Sequence, residues 1–104
     1  MTDPYARRWQ TEAHTVLGDL IREGHDNNLP PLMWTLATTG ALAGDAPGLG
    51  TDEDPRDTIR QWAAHLETTV METTREDGRV SLYAPFDRNG KRQGALRAEI
   101  YPDA

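Results

Sequence analysis

The chain has 104 residues, a formal net charge of −6 carried by 17 acids, an apolar fraction of 37%, and no cysteine. That length suits one domain with one core, and the acidic balance argues against a nucleic-acid partner or an anionic membrane, either of which needs clustered Lys and Arg. The absence of Cys excludes disulfides, thiolate zinc sites and a cysteine nucleophile. Met1-Thr2-Asp3 opens without a basic leader, and the longest mostly apolar run, residues 29–36, holds two prolines and is too short to cross a bilayer. A cytoplasmic protein is therefore expected.

Asp3-Pro4 reads as an N-cap followed by proline at the first helical position. Tyr5, Trp9, Ala13, Val16, Leu17, Leu20 and Ile21 recur at steps of three and four, which predicts a helix ending near Glu23 with Gly24 as its stop. After the polar loop His25-Asp26-Asn27-Asn28 and Pro30-Pro31, Leu32, Trp34 and Leu36 alternate with Met33, Thr35 and Ala37, the period of a half-buried strand. Thr38-Thr39-Gly40 supplies a turn. Residues 41–46 read as a short returning strand whose small side chains suggest an edge or a close approach by another backbone.

Pro47-Gly48-Leu49-Gly50 reads as a flexible connection. A second helix starts at Asp54 as N-cap with Pro55 next and Asp57 in the first turn, and its apolar stripe is Ile59, Trp62, Ala63, Leu66 and Val70. Thr68-Thr69 and Thr73-Thr74 weaken it toward a turn at Asp77-Gly78. A final hairpin is the plainest signal. Val80, Leu82, Ala84 and Phe86 face Leu96, Ala98 and Ile100 across Asn89-Gly90, with a charged, mobile loop expected over residues 87–93.

The plan is one α+β domain over residues 1–104, helix–hairpin–helix–hairpin (αββαββ), with an antiparallel sheet and two helices packed on one face. It is similar, by analogy of plan alone, to small acidic secretion chaperones. Ten Arg stand against one Lys, and Leu29-Pro30-Pro31-Leu32-Met33-Trp34-Thr35 with Gly40-Ala41-Leu42-Ala43-Gly44 and Trp62 resembles small uncharacterised actinobacterial proteins of the Streptomyces kind. The resemblance implies no activity.

Candidates for chemistry are few. His14 and His65 lack a second His or acid at metal-pair spacing, and His25 lies in a loop. Asp52, Glu53, Asp54 and Asp57 lack the Asp-x-Asp-x-Asp-Gly pattern of a calcium loop and suit helix capping. Gly44, Gly48 and Gly50 precede acids rather than Lys-Ser or Lys-Thr, and Ser81, the only serine, has no nucleophile-elbow motif. No catalytic residue, metal or cofactor is assigned. Trp9, Trp34 and Trp62 are all expected in the core.

The remaining feature is the sheet face turned from the helices, where the strand period places Met33, Thr35, Ser81, Tyr83, Arg97 and Tyr101. Tyr, Met and Arg are enriched in protein interfaces. The sequence thus reads as a non-catalytic interaction module, a regulator, adaptor or immunity-like partner of a basic protein, or a homodimer, with Met33, Thr35, Tyr83, Arg97 and Tyr101 as contact residues. The alternatives are a small-molecule-binding protein or enzyme using His65, Asp45 or Arg97 in a pocket between helices and sheet, and a DNA mimic with carboxylates in two rows.

Overall fold

The computed structural model describes residues 4–47 and 54–101. In chain order the elements are α1 (Pro4–Asp26), β1 (Met33–Leu36), β2 (Leu42–Asp45), α2 (Pro55–His65), β3 (Met71–Thr74), β4 (Val80–Arg88) and β5 (Lys91–Ile100). The expected cap at Asp3 and the connection over residues 48–53 lie outside the described residues.

The class is α+β, but the sheet is mixed and has five strands rather than four, in the order β1-β2-β5-β4-β3. Three neighbouring pairs are antiparallel; β2 and β5 run parallel. The extra strand is β3. Residues read as the weakening end of the second helix are extended, because that helix stops at His65 and Glu67 turns the chain in the left-handed region at φ 56°. Thr68 N–H then bonds Ala63 O and Glu67 N–H bonds Ala64 O, which satisfies the terminal carbonyls in a Schellman arrangement.

The first helix ends in the same way, at Asp26, three residues later than expected. Gly24 lies inside the helix, and the terminating residue is Asn28 at φ 55°, with Leu29 N–H on Gly24 O and Asn28 N–H on His25 O. Gly24 is small for another reason: a Cβ there would stand 2.8 Å from the Trp62 ring. At the other end of α2, the Asp54 carboxylate accepts from Arg56 N–H at 3.0 Å, and Pro55 needs no partner.

Both helices and one face of the sheet share a single core. Ala13, Val16 and Leu20 from α1 and Ile59, Trp62 and Ala63 from α2 meet Leu42, Leu82, Ala84, Phe86, Leu96 and Ala98. Trp34 packs edge-on against Trp62 and Phe86, with ring centroids 5.7 and 6.4 Å away, and Trp62 donates its indole N–H to Pro30 O. Trp9 departs from expectation. It is 44% exposed beside Tyr5, because the N-terminal stretch of α1 extends past the buried stripe.

β2 is interior, not an edge. Its small residues allow the close approach that their size suggested: Leu42, Ala43, Gly44 and Asp45 lie opposite Gly94, Ala95, Leu96 and Arg97, and a Cβ on Gly94 would fall 1.8 Å from Leu42 O. The β4–β5 hairpin turns in two residues, Asn89 and Gly90, at φ 56° and 79°, the signs of a type I′ turn. Residues 87–93 are therefore ladder and turn rather than a loop, and Asp87 and Arg92 form an ion pair at 2.6 Å beside it. Pro85 is tolerated inside β4 because the β3 ladder ends at Tyr83, so no neighbour on that side needs its missing N–H.

Candidate functional site

On the face turned from the helices, pairing registers put five side chains in one row across all five strands. From β1 to β3 they are Met33, Asp45, Arg97, Tyr83 and Met71. Among the described residues no helix covers this face, and Met33 is 66%, Met71 50% and Tyr83 45% exposed. The next row along the strands toward β5's C-terminal end is Glu99, Ser81 and Thr73. Between the rows and Tyr101 lies an open groove of about 590 Å³.

Arg97 and Asp45 form a two-pronged pair, Nε to Oδ1 at 3.0 Å and Nη2 to Oδ2 at 2.9 Å. The geometry follows from the parallel β2–β5 register, which sets the two residues opposite each other. The Asp45 carboxylate, which accepts both bonds, holds the Arg97 guanidinium more firmly protonated than usual, against a smaller opposing effect of burial. Beside it, Ser81 Oγ donates to Glu99 Oε1 at 2.9 Å, and Arg75 reaches both, Nε to Ser81 Oγ at 3.1 Å and Nη2 to Glu99 Oε1 at 3.3 Å. Arg79 stacks over the Tyr101 ring, 5.6 Å from its centroid, and bonds Asp77.

Of the residues that the strand period pointed to, Met33, Tyr83, Arg97 and Tyr101 line this groove together. Thr35 is exposed on the same strand but opposite Ala43, one row away and outside the groove. Met71, Arg75 and Glu99, which the structure also brings to this face or its groove, were not among those residues. Glu99 follows the same alternation as Arg97 and could have been found from it; Met71 was hidden inside an expected helix.

Every charged group in the groove has a partner of opposite sign, and none of the three histidines lines it. Asp45 and Glu99 are each tied to an arginine and form no rows of free carboxylates. The three residues considered for a helix–sheet pocket do not come together. Asp45 and Arg97 are on the outer face, whereas His65 Nε2 meets Glu23 Oε1 at 2.7 Å on the helix side, where Arg88 also grips Glu23 at 2.6 and 3.0 Å. An apolar hollow of about 370 Å³ on that side is lined by Ile21, His25, Leu29, Leu32, Trp34 and Trp62 and includes none of the three.

Among the described residues no three His, Asp or Glu side chains gather as metal ligands, and no helix is long and apolar enough to cross a membrane. Comparison of the chain with protein-family models, curated proteins and solved structures found no match.

Proposed function

We propose that the protein is a non-catalytic interaction module whose contact surface is the outer sheet face. The observation that carries this is the largely exposed row Met33, Asp45, Arg97, Tyr83 and Met71, which spans the whole sheet and which no helix or strand among the described residues covers. Methionine supplies adaptable apolar contact, tyrosine a rigid amphipathic anchor, and arginine a planar fork of donors. All three stand on paired strands, so little conformational entropy is lost when a partner seats on them.

The partner is a protein surface of mixed apolar and polar character without a strong charge of its own. Inside the groove the positive and negative groups already satisfy one another. A highly basic partner gains nothing there beyond the general attraction of a −6 chain.

The test is the double change Tyr83→Ala with Arg97→Ala. Both side chains are exposed, so the melting temperature should move by no more than about 2–4 °C. Association measured by sedimentation or pull-down should be lost. Association that persists in a folded double variant removes the outer face from consideration.

A further inference from the structure

We infer that the surface seated on the outer face is a second copy of this chain. The inference rests on the outer face being the contact surface and names its occupant. Its first support is charge. Two molecules of net charge −6 repel, and any surface with a net charge of its own adds to that repulsion on contact. In the groove two carboxylates, Asp45 and Glu99, are matched by two guanidinium groups, Arg97 and Arg75. Copies meeting there add no local like-charge penalty.

The second support is self-complementarity. In a two-fold contact every residue pair occurs twice, so the surface must fit itself. A guanidinium has five N–H donors and a carboxylate about four lone-pair sites. The Arg97–Asp45 pair uses two donors and one site on each oxygen. Arg97 of one copy therefore keeps donors for Asp45 of the other without leaving its own partner, and the same contact would be repeated by symmetry.

The third support is where the exposed apolar side chains lie. Among the described residues seven large apolar or aromatic side chains are exposed, and four of them, Met33, Met71, Tyr83 and Tyr101, are on the outer-face strands or directly after them. The other three, Tyr5, Trp9 and Ile21, are distributed along α1. Methionine stands at both edges of the five-strand row, so a two-fold partner finds a soft apolar contact whichever edge it meets. Two sheets packed in this way would sit about 10 Å apart.

Sedimentation equilibrium of the wild type, of Arg97→Asp, of Asp45→Arg, and of an equimolar mixture of the two variants tests the inference, with circular dichroism confirming the fold. The wild type should be dimeric. Each variant gives its face a net charge of one sign and should dissociate at concentrations roughly tenfold higher or more. The mixture should recover the dimer, because the two faces are then opposite in charge. Should either charge variant fail to fold, Tyr83→Glu adds a negative charge to the balanced face at a half-exposed position in the row and should separate the copies in the same way.

A wild type that stays monomeric at every soluble concentration overturns the inference, as does a mixture of folded variants that does not associate. If that monomer binds another protein and Tyr83→Glu abolishes the binding, the outer face keeps its role and only the second copy is lost. A dimer untouched by every change on this face overturns both.

Discussion

Two residues at helix ends carry a conformational cost that the sequence alone conceals. Glu67 and Asn28 hold positive φ, where a side chain is strained by roughly 1 kcal/mol relative to glycine. Glu67 is exposed and makes no ion pair among the described residues, so Glu67→Gly should stabilise the protein by about 0.5–1 kcal/mol in urea unfolding. Gly24→Ala should do the opposite despite its helical setting, because the new methyl meets the Trp62 ring at 2.8 Å in a closely packed core. The comparison with Gly18, where an added methyl meets nothing within 4 Å, isolates the clash from helix propensity: Gly18→Ala should gain roughly 0.5–1 kcal/mol. Equal effects at positions 18 and 24 would show that Trp62 does not close on α1 in this way.

At the scale of elements, what the sequence revealed depended on whether one face of the element is buried. The β4–β5 hairpin was legible because its buried residues alternate and Asn89-Gly90 dictates the turn. Both helices were legible from their stripes, although their ends were not, since Asn28 and Glu67 terminate them without a glycine. All four residues of β3 are exposed, so Met71-Glu72-Thr73-Thr74 carries no period of two. The parallel β2–β5 pairing was beyond local pattern altogether, because it joins distant stretches through a contact that only Gly94 permits. Accordingly Met33 on β1, Tyr83 on β4 and Arg97 on β5 were found, whereas Met71 on β3 was not.

The β3–β4 turn offers a pH test. Asp77 accepts the Arg79 backbone N–H at 2.9 Å, and this bond, with the charge of Arg79 beside it, holds the carboxyl below its ordinary value of 3.8. A lowered folded-state value means that the carboxylate favours the folded turn above about 3.8 and that this support fades as pH falls through the lower folded value. Carboxyl NMR titration should give Asp77 a midpoint below 3.8, with the Arg79 amide signal following the same curve. A midpoint at or above the ordinary value would mean that the turn is not held by this carboxylate.

For the whole molecule, net charge and local charge act in opposite directions. The −6 total keeps copies apart over distances of about a Debye length, roughly 10 Å at 0.1 M salt, while the outer-face groove itself is balanced. Added salt screens the first effect and barely alters the apolar part of the contact. Raising ionic strength from low to moderate should thus leave self-association unchanged or strengthen it, as read by light scattering. Binding driven by attraction to a basic partner would weaken steeply over the same range.

The position of β5 has a consequence in time. It lies between β2 and β4 in the sheet but follows both in sequence, and the pair it makes with β2 closes a separation of 52 residues, as between Arg97 and Asp45. The hairpin β1–β2 and the run β3–β4–β5 can each zip locally, yet β2 and β5 both keep a bare edge until they find each other. Assembly is therefore a late, non-local event of the kind that places folding toward the slow, millisecond-to-second end for small domains. Until then the nascent chain carries two templates for mispairing, so its exposure to aggregation is set by how quickly those two edges meet.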